Sequence, residues 1–298
     1  MVIMRKRCRL VDTYEDFLEY WKASSSKSVA NQVALWQTKY MSKYPELLQK
    51  QLRNYEEVGV DWRKIARKVV QAIPRHLKRM EEARRNILQL FEPTYIRAVQ
   101  RLGCDFNVTL VIYVGIGCGA GWATRYERQP AILLGLENIV EEKWHSSSKL
   151  EGMIVHEIGH LVHMKWRSEW KTFEKAADDP LFRLYEEGFA QRCEHMVPER
   201  DTWHMASDRQ WLSWCEQHKA WLAREFLGRL DKHASVNDFF GSWFDIHGKK
   251  QTGYFLGHAF IVNLERTYAL REIALLSFCD VKRLAAAYLK AVSKEGAM

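Results

Sequence analysis

The chain has 298 residues, 47% of them hydrophobic and 28% charged, and a formal net charge of +8. It is long enough to bury a sizeable core unaided, and its cysteines (Cys8, Cys104, Cys118, Cys193, Cys215, Cys279) lie far apart with no C-x-x-C pair, which argues against both a disulfide scaffold and a thiolate metal cluster. The opening MVIMRKRCRLVDTYEDF has charge but no apolar signal core, and no uncharged apolar run approaches the roughly eighteen residues of a membrane span; a soluble cytoplasmic protein is expected.

Residues 1–102 read as a basic helical lobe. They carry 21 Lys/Arg against 11 Asp/Glu, whereas the remainder is nearly balanced at 24 against 26. A basic half could attract nucleic acid or an acidic partner. However, the charges of RKIARKVVQAIPRHLKRMEEARRNIL alternate with apolar residues at helical spacing, which favours a solvated helical surface, and nucleic acid is not the expected partner. Thr13 is placed to cap a first helix with Asp16 three residues on, and Pro45, Pro74 and Pro93 mark breaks or first-turn positions. The tryptophans scattered through the helical segments are read as core and cleft residues.

The period then changes. NVTLVIYVG (107–115) is β-branched and continuous enough for a buried strand, and PAILLGLENI (130–139) reads as a second, which could hold a peptide by strand addition. Between them Gly115-Ile-Gly117-Cys-Gly-Ala120 satisfies a dinucleotide fingerprint, with Glu137 some twenty residues on. That chemistry needs a helix N-terminus facing the phosphates, and GWATRYERQ offers barely two turns, with four glycines at alternate positions from 115 to 121 and Pro130 ending it. A glycine-rich hairpin or loop in a small sheet is expected instead. Helices are expected over 148–165, 181–197, 203–230, 250–268 and 280–293, within a core running from 103 to 298.

The first of these helices contains HEIGHLVH (156–163). Residues four apart sit one turn above each other, so His156 and His160 can aim both imidazoles at one ion while Glu157 reaches water there as general base. Two neutral imidazoles and a carboxylate suit Zn2+, one per chain, in a site that leaves a position open for hydrolysis. His163 lies about 10 Å along the axis from His156, too far to share the ion. It is left as a supporting, cleft-wall or packing residue. The third ligand should come from LFRLYEEGFAQRCEHM (181–196), where Glu187 is followed by the small residues Gly188 and Ala190 that let helices approach closely; Glu186 and Glu194 compete for the role.

HEIGH followed by Glu187-Gly188-Phe189-Ala190 resembles the gluzincin zinc metallopeptidases, in which a downstream glutamate completes the metal site. In the aminopeptidase N family the matching segment is Asn-Glu-Gly-Phe-Ala, and the resemblance places Glu187 on the ligand. The 26 residues between His160 and Glu187 exceed that family's interval, which implies a longer connection near Lys171–Asp179. HEIGHLVH also resembles the H-E-x-G-H-x-x-H of the thimet oligopeptidase and oligoendopeptidase F family. That family's later G-Y-x-x-G-Y stretch is matched by Gly253-Tyr254-Phe255-Leu256-Gly257-His258, with His258 departing from its second tyrosine. Compact predicted zinc-dependent proteases of the same clan fit the length better than either. The resemblance implies a zinc-dependent peptidase acting on peptides or proteins, and Tyr254 or His258, an i, i+4 pair, could donate a hydrogen bond to the oxyanion.

The expected architecture is α+β and predominantly helical, with an N-terminal helical lobe, a small β-sheet and a zincin-like core. The competing expectation is a basic helical binding module whose metal is structural or vestigial; a structural zinc would be marked by a fourth Cys or His.

Overall fold

The structure, a computed structural model, describes residues 7–57, 59–168, 178–206, 208–241 and 244–295. It is α+β and predominantly helical, with one four-stranded sheet. Of the connection expected near Lys171–Asp179, residues 171–177 lie outside the described residues. Among the described residues no helix is long and apolar enough to cross a membrane. The chain forms two compact units, Met1–Thr94 with Asp105–Ile154 and Tyr95–Cys104 with Val155–Met298.

The first unit begins with β1 (Cys8–Asp12), a strand placed where no regular element was expected. Helices α1 (Tyr14–Ser24), α2 (Val29–Leu35) and α3 (Pro45–Glu57) follow, with a π and a 3-10 turn before α3. Pro45 opens α3, where its missing N–H costs nothing. Pro74 and Pro93 do not break the chain: both lie inside α4 (Trp62–Leu102), one 41-residue helix. Both rings are exposed, so they stay clear of the core, and the buried face of Ala66, Val70, Ile73, Met80, Ala83 and Ile87 continues past Pro74. Thr13 does not cap α1 with its side chain either. Its hydroxyl bonds the Ile112 carbonyl at 3.0 Å and pairs with the Tyr40 hydroxyl, so its polar atoms are spent across the fold.

The sheet has the order β1-β2-β4-β3, with β2 (Val108–Tyr113) and β4 (Gln129–Gly135) in the middle. β1, β2 and β4 run parallel, with Val11 opposite Val111 and Val111 opposite Leu133, and β3 (Gly121–Tyr126) pairs antiparallel to β4. Every residue of β2 is buried, as its unbroken apolar run requires. PAILLGL is paired along both sides of β4, so it cannot take on an added peptide strand; the edges are β1 and β3. Helix α5 (Leu136–Glu141) begins where the second strand was expected to continue.

The glycine-rich segment is a loop followed by β3, with no helix to face a phosphate. Gly117 takes φ +89°, open to glycine at little strain, and a Cβ on Gly115 would meet Gln51 and Glu137 within 2.7 Å. Glu137 fills the loop: its carboxylate accepts the Gly115 N–H at 2.7 Å and the Gly117 N–H at 3.0 Å. Burial raises its carboxyl from 4.5 to about 7, against the pull of these backbone donors.

The second unit continues α6 (Ser147–Arg167) and adds α7 (Pro180–Met196), α8 (Trp211–Gln217), α9 (Lys219–Asp231), the short α10 (Asn237–Phe240), α11 (Thr252–Leu264), α12 (Leu270–Ala274) and α13 (Phe278–Val292). Asp179 caps α7 through the N–H groups of Leu181 and Phe182, with Pro180 at the first position. The expected helix over 203–230 is interrupted: residues 203–206 are not helical, because the backbone N–H of His204 goes to the Glu194 carboxylate at 2.9 Å.

Two close backbone approaches bring the helices of this unit together. A Cβ on Gly159 of α6 would lie 3.0 Å from Ala190 Cα of α7, so Ala190 has the expected role of a small contact residue. Gly188 serves a different neighbour. A Cβ there would sit 2.2 Å from the backbone of Gly257 on α11.

Two outcomes follow from this packing. Gly188→Ala should destabilise the protein by about 3 kcal/mol or more, because backbone cannot yield as a side-chain tip can; chemical denaturation measures it. For Glu137, the unfolded chain releases its proton near pH 4.5 while the native state keeps it to about pH 7. Stability from this group is therefore complete below pH 4.5 and lost as pH rises to 7, roughly 3 kcal/mol in all. Denaturation of wild type and Glu137→Gln at pH 5 and pH 7 should show the fall shrinking in the variant.

Candidate metal centre

Helix α6 is apolar around its polar stripe: Val155, Ile158, Leu161 and Val162 are fully or almost fully buried. His156, Glu157, His160 and His163 are buried too, at 8% exposure or less. Buried polar groups on that scale require partners or a ligand. The partners come mainly from α7.

His156 Nε2 lies 3.2 Å from His160 Nε2 and 3.2 Å from Glu187 Oε2, and His160 Nε2 lies 3.3 Å from the same oxygen. Ligand atoms held tetrahedrally about 2.0–2.1 Å from an ion such as zinc stand about 3.3 Å from each other. The three atoms are thus spaced as one face of such a tetrahedron would be, and the chemistry of the donors, two imidazoles and a carboxylate, could hold a divalent metal. Of the competing glutamates, Glu186 faces the other nitrogen of His160, with Oε1 3.5 Å from Nδ1. Glu194 is fully buried one helical stretch further along α7 and faces the other nitrogen of His156, Oε2 to Nδ1 at 3.9 Å.

Electrostatics bind the cluster together. Burial lowers His156 to about 4, with Glu187 opposing and His160 and His204 assisting. For His160 burial also pulls downward, but the Glu187, Glu186 and Glu157 carboxylates prevail and raise it to about 9. Glu187, which burial alone would raise, is held far below the usual carboxylate range by His160 and His156. Burial raises Glu186 to about 8 despite His160.

A second group, His156, Glu194 and His204, also draws its donor atoms together. Its spacing is that of a hydrogen bond: His204 Nδ1 is 2.6 Å from Glu194 Oε2, too close for two ligands on one ion, while the His204 N–H donates to Oε1. His204 therefore anchors a carboxylate that faces a proposed ligand. It stands in irregular chain eight residues past the end of α7, where the sequence predicts the start of a helix and singles out no ligand.

The remaining candidates divide. Tyr254 on α11 has its ring 5.4 Å from that of His156, and its hydroxyl is raised far above its usual pKa by burial and by Glu187 and Glu157, so it keeps its proton. His258, one turn on, lies against His195 at 4.2 Å and Trp203 at 5.1 Å. Burial, His195 and Arg192 lower it to about 3, leaving it neutral. His163 packs on Phe189 at 4.3 Å and bonds the Tyr185 hydroxyl at 3.1 Å, away from the ligand nitrogens.

No protein-family model matches the chain, and no curated protein or solved structure matches it significantly.

His204→Ala should leave the fully buried Glu194 charge without its main partner and cost about 3–5 kcal/mol in denaturation experiments. Adding Glu194→Gln to that variant should recover part of the loss, since the unpaired charge is then gone. A double-mutant cycle measures the coupling.

Proposed function

We propose that the chain is a zinc-dependent peptidase of the gluzincin type, with His156, His160 and Glu187 as metal ligands. The observation that carries the proposal is the equal spacing of the three donor atoms, 3.2, 3.2 and 3.3 Å, in a buried cluster on two helices. When bound, zinc supplies Lewis-acid polarisation of the scissile carbonyl and makes water acidic enough to react near neutral pH.

The side chains divide the remaining work. Glu157 lies on the ligand helix between the two histidines, is buried, and its charge acts on both His160 and Tyr254, which supports a place at the site. It takes a proton from the attacking water and delivers it to the leaving amine nitrogen. Tyr254, kept protonated, donates a hydrogen bond as negative charge grows on the carbonyl oxygen. Glu186 and Glu194 stand on the far sides of the two ligand imidazoles, 3.5 and 3.9 Å from their second nitrogens. Three protein ligands leave a position for substrate, as a catalytic site requires and a structural one does not.

Metal analysis beside peptide turnover tests this. Wild type should hold about one zinc per chain and cleave an unstructured protein such as casein; Glu187→Ala should lose the metal. Glu157→Gln should keep the metal and lose at least about 100-fold in turnover. Full activity in Glu157→Gln, or wild type without stoichiometric zinc, would overturn the proposal.

A further inference from the structure

One arginine at this centre lacks an acidic partner. Arg183 lies on α7 one turn before Glu187, half-buried. Its Nη1 donates to Asn237 Oδ1 at 3.0 Å, and its guanidinium carbon stands 4.7 Å over the ring of Phe240. Among the described residues no carboxylate pairs with it. Other arginines of this unit are neutralised directly: Arg192 by Glu265 and Arg229 by Asp238, each at 2.7 Å.

Arg183 is linked to the ligand His156 through a chain of neighbouring rings. Phe240 beneath it is 5.9 Å from the Tyr254 ring, which is 5.4 Å from His156. Its charge is felt at Tyr254 and at Glu186. Stacking on an aromatic face and one amide bond fix the planar head in place while leaving donors of the guanidinium uncommitted. A fixed, partly desolvated guanidinium with no carboxylate in direct contact among the described residues is a receptor for a carboxylate that arrives with a ligand.

We propose that Arg183 is a substrate-binding residue that selects peptides presenting a carboxylate next to the cleaved bond, either a free C-terminus or an Asp/Glu side chain. This rests on the peptidase reading for its biological meaning, but the carboxylate site itself is a binding property. The partly buried position beside Tyr254 makes the preference one of charge and of geometry, because a two-pronged carboxylate matches the guanidinium fork whereas an amide does not.

The test measures binding to the zinc-loaded protein by calorimetry, with matched pairs that differ only in the carboxylate. N-acetyl-dialanine and its amide report on a C-terminus; N-acetyl-glutamate amide and N-acetyl-glutamine amide report on a side chain. In wild type the acid of at least one pair should bind about tenfold or more tightly than its neutral counterpart. The pair that discriminates identifies the source. In Arg183→Met that ratio should fall to near one with zinc content retained, and in Arg183→Lys, which keeps the charge and loses the fork, it should fall part of the way. If Arg183→Met does not fold, the drop in Arg183→Lys decides. Equal binding of acid and amide in wild type overturns the proposal, as does a ratio that survives both substitutions, which would mean that the metal holds the carboxylate. A ratio that depends on Arg183 in a protein that cleaves no peptide would sink the peptidase reading and leave this one standing.

Discussion

Helices α7 and α11 meet backbone to backbone. At Gly188 and Gly257 not even a methyl group fits between them, and this contact fixes the distance from which Tyr254 faces the His156 ring. The second approach, Gly159 against Ala190, sets α6 and α7 so that Glu187 reaches both imidazoles with a side chain of ordinary length. Larger residues at these positions would push the helices apart by more than the tolerance of a coordination shell. Packing density here is therefore what brings the three donor atoms to nearly equal spacing, since they come from separate helices.

The same closeness concentrates ionisable groups where water is scarce. His156, His160, Glu157, Glu194 and His204 are all buried, and Glu186 and Glu187 nearly so at the side-chain level. Acidic and basic groups stand near one another throughout it: carboxylates lie 3.2–3.9 Å from both ring nitrogens of the two imidazoles, and the Glu194 carboxylate is held by the backbone and ring of His204. Removing one partner from such an arrangement exposes the desolvation penalty of the other. The arrangement also shows why an arginine left without an acid, on the same helix, stands apart from the rest.

Elements whose signal is local were legible in the sequence. The 3.6-residue pattern of α6 and the unbroken β-branched run of β2 each carry their reason within a few residues. The spacing of His156 and His160 is likewise a property of one helix, and Glu187 is preferred over Glu186 and Glu194 through its small neighbours and the family resemblance. What was not legible depends on partners far away in the chain. β1 is a strand because β2 lies beside it, some hundred residues on. Thr13 has the look of a cap, yet its hydroxyl is claimed by Tyr40 and Ile112. His204 is drawn out of a helical-looking segment by Glu194, and Pro74 and Pro93 are carried inside α4 because their rings point to solvent. β4 reads as a possible docking strand only until its two neighbours are known.

The glycine loop of the first unit carries its own carboxyl. Backbone N–H groups that elsewhere would receive a phosphate are here occupied by Glu137, a side chain from the same chain. The loop is in effect an internally liganded nest, and any external anion would have to displace a buried carboxyl before binding. G-x-G-x-x-A in this protein thus records a backbone shape that closes on a side chain supplied by the following strand and helix. Two proteins with the same letters can differ in ligand solely by whether a glutamate some twenty residues later is long enough to reach back.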